Sequence, residues 1–265
     1  MIKKKLIAID LDGTLLTSDY KITDYSLDVL SRLSEMGHAI VLASGRPLRN
    51  IIPYYHHLGL KTPLIAYNGL LTLNPSDPSF PKTERRISKD LLKDIADKYE
   101  DRLTNYLFES DDSSLYLKKD EPILNPFFPY DDSNRKSLEE VLSKDPYIAV
   151  FEADKDLEDI LEKEIEAVKP YRYRRWNKMP YSEIYIDGQD KGAALIDLAK
   201  YMGISSDDVI AFGDGDNDDS MISFAKLGYA IKGAKSEMLK EKHPLTLDDN
   251  DHDGVAKTLE AMLLK

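Results

Sequence analysis

The sequence predicts an α/β fold, a doubly wound parallel sheet into which a smaller α+β unit is inserted. Three observations predict it. Short, uninterrupted apolar runs at 6–9, 39–43, 64–67 and, after the Asp208 that opens the stretch 208–212, at 209–212 read as strands buried on both faces. Stretches with helical spacing lie between the first three, the alternation expected of a parallel sheet. From about Asn74 to Lys191 that alternation gives way to closely spaced extended segments, the texture of an antiparallel unit.

The first strand, Leu6-Ile7-Ala8-Ile9, stops at Asp10-Leu11-Asp12-Gly13-Thr14. Alternation along a strand would keep Asp10 and Asp12 from sharing one buried face. A turn at Gly13 lets both gather at the strand's carboxyl end, where open α/β sheets place ligands. Two like charges buried together need a cation or a proton to offset them. Thr23 then caps a helix with Leu27, Leu30 and Leu33 on one face, closed by Gly37. The second run ends in Ser44-Gly45-Arg46, and Pro47 suits the first turn of a helix running to about Leu58. The third ends in Asn68-Gly69, and 74–81 is a linker by its Pro and Ser content. Inside the insert the pattern gives helices at 88–99, 137–142 and 156–168, with strands at 103–108, 115–118, 147–151, 172–176 and 182–186. A helix opens at Lys191 with Ala194, Leu195, Leu198, Ala199 and Met202 on one face. The fourth run ends in Gly213-Asp214-Gly215-Asp216-Asn217-Asp218. A strand near 227–231 and a helix bearing Val255, Leu259, Met262 and Leu263 complete the core. The expected domains are 1–81 with 188–265, and 82–187.

Composition narrows the partners. A length of 265 residues, 42% of them hydrophobic, suffices for a real core. A net charge of −12 argues against nucleic acid as a partner, and at long range repels phosphorylated molecules as well. Any anion site must therefore be local. With no cysteine, disulfides, thiolate nucleophiles and Cys-ligated zinc are excluded. Met1-Ile2-Lys3-Lys4-Lys5 has the charge of a secretory leader, but Asp10 ends the apolar stretch too early. No run reaches membrane-spanning length. A cytoplasmic protein, monomeric or weakly dimeric, is expected.

In a parallel sheet the four run ends, Asp10, Ser44, Asn68 and Asp214, fall along one edge. Asp10, Asp12, Asp214 and Asp218 supply the hard oxygen ligands that suit Mg²⁺. Ser44 and the amide of Gly45 offer donors to an anion. Lys191 sits where a helix dipole disfavours a cation, so it is placed to meet an anion. Metal, lysine and an attacking carboxylate together fit phosphoryl transfer. Singly, each piece has an ordinary reading: a strand-end Asp as a helix cap, Ser44-Gly45-Arg46 as a turn, Lys191 as a solvated residue. Gly213-Asp214-Gly215-Asp216 also reads as a plain turn, without the glycine spacing of a dinucleotide loop. Their joint placement points to one site.

The motifs Asp10-Leu11-Asp12-Gly13-Thr14, Ser44-Gly45-Arg46, Asn68-Gly69, Asp190-Lys191-Gly192 and Gly213–Asp218 with Met221 occur in this order over almost the whole chain. In this the chain resembles the haloacid dehalogenase (HAD) superfamily, in particular its Cof-type sugar-phosphatase branch. That resemblance implies a Rossmann-like core with an α/β cap and a Mg²⁺-dependent phosphatase acting on small phosphorylated metabolites, sugar phosphates favoured. It implies Asp10 as nucleophile, forming an aspartyl-phosphate, and Asp12 as acid and then base, with Lys191 in the catalytic set. Asp10, the Asp12 carbonyl and Asp214 would ligate Mg²⁺, with Asp218 orienting a metal-bound water. The Leu11 amide, Ser44, Gly45, Lys191 and Asn217 would hold phosphoryl oxygens, and Arg46 would reach the cleft. Ser44 stands where the family more often has Thr, with the same hydroxyl donor. Ala230-Ile231-Lys232-Gly233-Ala234 departs from the family's Met-Gly-Asn-Ala. Two rivals are a phosphomutase of the same fold and a non-catalytic phospho-ligand binding protein.

Three further stretches have competing readings. Asp249-Asn250-Asp251-His252-Asp253-Gly254, with Glu260, matches an EF-hand by spacing, but His243-Pro244 disfavours the helix that should lead into it. It also resembles the family's Asn-x-x-Asp-Gly-Val segment. Tyr171-Arg172-Tyr173-Arg174-Arg175-Trp176 reads either as a strand lining the inner face of the insert or as a solvated basic edge strand. The Phe127-Phe128 loop would touch substrate or anchor the insert. His56, His57 and the remaining histidines lack metal spacing and are expected at the surface.

Overall fold

The computed structural model describes residues 3–111, 113–125, 128, 130–176 and 179–264. Two compact units divide the chain: Met1–Thr83 with Gln189–Lys265, and Glu84–Gly188. In the first segment β1 (Leu6–Ile9) leads to α1 (Asp24–Glu35), β2 (Ala39–Leu42), α2 (Leu48–His57), β3 (Leu64–Ala66), β4 (Leu71–Leu73) and β5 (Thr83–Glu84). The second unit holds α3 (Lys89–Tyr99), β6 (Asn105–Asp111), β7 (Ser114–Leu117), α4 (Leu138–Val141), β8 (Ile148–Glu152), α5 (Lys155–Glu166), β9 (Tyr171–Arg175) and β10 (Tyr181–Ile186). The chain then returns to the first unit through α6 (Lys191–Tyr201), β11 (Val209–Gly213), α7 (Asp219–Phe224), β12 (Leu227–Ala230), α8 (Glu237–Lys242) and α9 (Gly254–Leu263).

The first unit is the predicted α/β fold. Its main sheet runs β12-β11-β1-β2, all parallel, and Ala43 bridges to Ile65 so that β3 continues the edge. Within it β1 lies between β11 and β2, with Leu6 opposite Val209 and Ala39, and Ile9 opposite Phe212 and Leu42. All four residues of β1 are fully buried, as a strand covered by helices on both faces must be. Leu195, Leu198 and Ala199 of α6 and Met221 of α7 pack with Leu6, Ala8, Val209 and Ala211. Thr23 caps α1, accepting from the Ser26 amide at 3.0 Å. The buried face of α1 is Ser26, Val29, Leu30 and Leu33, with Leu27 only half-buried.

The alternation of strand and helix did not anticipate β4, which folds back antiparallel on β3 directly after the Asn68-Gly69 turn. The helices α7 and α8, six residues each, are too short to show a period in sequence. One histidine expected at the surface is not there. His38 is buried, because it leads into β2 beneath the strand-leading residue Lys5, whose amide donates to its Nδ1 at 3.0 Å.

In the second unit a five-stranded antiparallel sheet runs β7-β6-β8-β10-β9. Side chains cap its three helices: Ser88 on α3, Ser137 on α4 and Asp154 on α5. The basic stretch 172–175 is in the edge strand β9, with Tyr171 and Tyr173 buried and each arginine matched to acid within the unit. Arg172 donates to Asp187, Arg174 to Glu183, and Arg175 to Asp159 and Glu162. In the loop before α4, Phe128 is buried 6.3 Å from the Trp176 ring, while Phe127 lies outside the described residues, as do Met1 and Ile2.

Candidate active site

The carboxyl ends of β1, β2, β3 and β11 carry Asp10, Ser44, Asn68 and Asp214. Parallel pairing aligns these ends, so residues two hundred positions apart in sequence become neighbours. Two glycines let them close in. At Gly13, φ is +70° and a Cβ would collide with the Asp214 carboxylate. At Gly69, φ is +97° and a Cβ would strike the Asp190 carbonyl, which stands directly before Lys191. Asp190 caps α6, its carboxylate accepting from the Ala193 amide at 2.8 Å.

Asp10, Asp214 and Asp218 are all buried, with one oxygen from each within 4.8 Å of the others. Lys191 is 1% exposed, and its ammonium donates to Asp10 Oδ1 at 2.7 Å and to Asp218 Oδ1 at 2.6 Å. The other Asp218 oxygen accepts from the amides of Asp214 and Gly215, each at 3.0 Å, which shapes the loop after β11. Two carboxylates therefore meet one ammonium, with the third, that of Asp214, beside them. Burial drives the Asp10 carboxyl well above its ordinary range against the pull of Lys191, with Asp218 and Asp214 adding to the rise. Burial also pushes Asp214 up to about 7, assisted by Asp218. For Lys191, burial would depress the ammonium, but Asp10 and Asp218 together hold it above the usual lysine range. An all-oxygen donor set with surplus negative charge fits a hard divalent cation such as Mg²⁺.

Asp12 is arranged differently from Asp10. Its backbone is still extended (φ −75°, ψ 122°), so its side chain departs on the other side of the chain. The carboxylate does not join the three-aspartate group. It instead accepts from Arg46, Nε to Oδ2 at 2.7 Å and Nη2 to Oδ1 at 2.5 Å. The expectation that both carboxylates gather in one place is thus corrected: both follow β1, but they face separate partners. Ser44 is buried, and its hydroxyl accepts from the Arg46 amide at 3.2 Å. Asn217 donates to Asn68 Oδ1 at 2.8 Å, joining the turn after β3 to the turn after β11. Leu11 is buried and Gly45 half-buried, with the Asn68 side chain packed where a Gly45 Cβ would stand.

The acidic stretch at 249–254 has a local role. No helix leads into it, since α8 ends at Lys242. Asp251 accepts from the Ser18 amide and hydroxyl at 2.6 and 2.7 Å, and Asp253 from the hydroxyls of Ser26, at 2.8 Å, and Thr23. Glu260 accepts from Tyr25 at 2.8 Å. These carboxylates brace the loop after β1 and the start of α1. Asp248, Asp249 and His252 also stand close enough to share an ion, but Asp249 already accepts from the His252 amide at 3.0 Å and contacts its ring. Sequence reasoning missed Tyr20 and Tyr54, whose rings each lie within cation–π range of Arg46. No motif marks either one.

A parallel sheet with its acidic and basic groups gathered at one carboxyl edge is the frame of a doubly wound α/β enzyme, and the order of those groups along the chain is that of one family. Residues 7–259 match the haloacid dehalogenase-like hydrolases, and the chain belongs to that family. It is an enzyme, a hydrolase of the phosphatase kind. The 5-amino-6-(5-phospho-D-ribitylamino)uracil phosphatase YitU of Bacillus subtilis is 31% identical over 271 residues, with 97% of each chain covered. Pyridoxal phosphate phosphatase YbhA of Escherichia coli is 28% identical, over 98% of this chain and 99% of its own. Among solved structures, a haloacid dehalogenase-like hydrolase from Bacteroides thetaiotaomicron matches with a TM-score of 0.80 at 28% identity, over 98% of this chain and all of that one.

Proposed function

We propose that the protein is a Mg²⁺-dependent phosphatase of small phosphorylated metabolites, with sugar phosphates favoured, working through an aspartyl-phosphate. The observation that carries this reading is the buried group of Asp10, Asp214 and Asp218 around Lys191. Asp10, Asp214 and the Asp12 carbonyl would hold the cation, with Asp218 braced behind them. When bound, the ion supplies charge neutralisation for the phosphoryl oxygens and the carboxylates.

In the proposed reaction, an Asp10 carboxylate oxygen attacks phosphorus and the ester oxygen departs with a proton from Asp12. The ionised Asp12 then takes a proton from water, and the resulting hydroxide displaces Asp10 as inorganic phosphate leaves. Lys191, Asn217, Ser44 and the amides of Leu11 and Gly45 would hold the phosphoryl oxygens. The preference for sugar phosphates draws on the relatives: the substrate that names the Bacillus subtilis enzyme carries its phosphate on a ribityl chain. The second unit, 84–188, is proposed to choose among leaving groups.

Asp10→Asn is nearly isosteric and removes the nucleophile. Phosphate release from p-nitrophenyl phosphate with Mg²⁺ is expected to fall below about 1% of wild type, consistent with the losses seen when a covalent nucleophile is removed. A folded variant that keeps a tenth of wild-type turnover would overturn the assignment. Phosphorylated sugars, nucleotides and cofactors, assayed for released phosphate, identify the substrate class.

A further inference from the structure

Arg46 is held on more than one side. Its guanidinium carbon lies 5.5 Å from the ring centroid of Tyr20 and 5.5 Å from that of Tyr54, within the range of a cation–π contact. Tyr20 comes from the loop after β1, Tyr54 from α2. The Tyr54 hydroxyl donates to the Tyr20 carbonyl at 3.0 Å, which ties loop to helix and closes the bracket. Inside it the Arg46 side chain is 15% exposed and keeps both ends of its fork on Asp12.

Hydrophobic burial does not explain Tyr20. The residue is 54% exposed and adopts a left-handed φ of +58°, an uncommon conformation for a bulky residue. The ring is held in the open beside a cation. An arginine has several rotatable bonds, and a planar fork specifies a carboxylate's direction only if the guanidinium plane is itself fixed.

We propose that Tyr20 and Tyr54 are positioning residues, which fix the Arg46 guanidinium and through it the direction of the Asp12 carboxyl group. This rests on the reading of Asp12 as the acid and base of a phosphatase. Removing either ring frees Arg46 and leaves Asp12 undirected, a loss in the chemical step rather than in phosphate binding.

The test uses the full-length protein with p-nitrophenyl phosphate at saturating Mg²⁺. Tyr20→Leu and Tyr54→Leu are expected to lower kcat five- to twentyfold with KM within twofold of wild type. Tyr20→Phe keeps the ring and at least half of kcat. In an Arg46→Ala background the leucine substitutions change kcat less than twofold. Independently of turnover, the Arg46 Nε–H resonance of the substrate-free protein is displaced by the rings in wild type and moves toward the free-arginine position in the leucine variants. Where Tyr54→Leu fails to fold, Tyr20→Ala, at an exposed ring, gives the same readouts. Wild-type kcat in the leucine variants, an equal loss in the Arg46→Ala background, or an unmoved resonance each overturns the proposal. A wild-type protein without turnover overturns the phosphatase reading and the catalytic part of this proposal with it, while the resonance still decides whether the bracket exists.

Discussion

Lys191 sits where isolated chemistry would not place an ammonium, sealed from water at the first residue of a helix. Two carboxylates at hydrogen-bonding distance are what keep it charged there. His38 shows the opposite outcome, a buried ring that pairs with no acid among the described residues. Its Nδ1 accepts from the Lys5 amide, so the neutral ring carries its proton on Nε2, which has no partner among the described residues. Burial pushes the imidazole below its ordinary value, and Lys5 pushes it further in the same direction. A group depressed in the folded state contributes stability that is present above its unfolded pKa, near 6.5, and lost as pH falls through the folded value. Between pH 7 and 5 wild type is therefore expected to lose more thermal stability than His38→Asn, which keeps an acceptor for the Lys5 amide and does not titrate. Parallel Tm-against-pH curves for the two proteins would refute this. None of it was legible in sequence, because a single His between Gly37 and Ala39 carries no pattern that separates buried from exposed.

The elements that deliver the site are short, and their ends matter more than their middles. The apolar runs and the capping residues Thr23 and Ser88 were readable because burial on both faces and an orphaned helix amide each demand a particular residue type. The hairpin of β3 and β4 was not, since three-residue strands leave no period. Its turn nevertheless positions Lys191 through the contact between Gly69 and Asp190. Gly69→Ala must leave a left-handed φ and displace that carbonyl, so it is expected to destabilise the protein by more than the ~1 kcal/mol typical of a helix or strand glycine change. It is also expected to lower kcat, because the start of α6 carries the lysine. Gly59→Ala, at a left-handed glycine with open space around it, supplies the comparison in the same assays. Equal turnover in the two variants would separate the β3–β4 turn from the site.

Across the whole molecule, a charge of −12 surrounds a site proposed to receive anions. Long-range repulsion is screened as the Debye length falls from about 30 Å at 0.01 M salt to about 8 Å at 0.15 M. At saturating Mg²⁺, kcat/KM for a phosphate monoester is expected to rise with NaCl over that interval, and a steady fall would show that local cations dominate capture. The proposed Mg²⁺ would be bound by the folded chain alone and so is expected to raise Tm; at a hundred times its Kd the gain is about 2.7 kcal/mol. Asp214→Asn should abolish most of that rise, and an unaltered rise would move the ion elsewhere. Which residues meet at the sheet edge was legible in the sequence, because strand ends in a parallel sheet are aligned by topology. Which carboxylate faces which cation was not. Asp10 and Asp12 differ only in the direction each leaves the backbone, and that became visible with the Arg46 pairing. The placement of β1 between β11 and β2 has a consequence for synthesis. A chain emerging from the ribosome makes β1 about two hundred residues before its neighbour β11. Asp10 must wait for Lys191, Asp214 and Asp218 to be translated, so the buried carboxylate group cannot assemble on the nascent protein until the turn after β11 has been made.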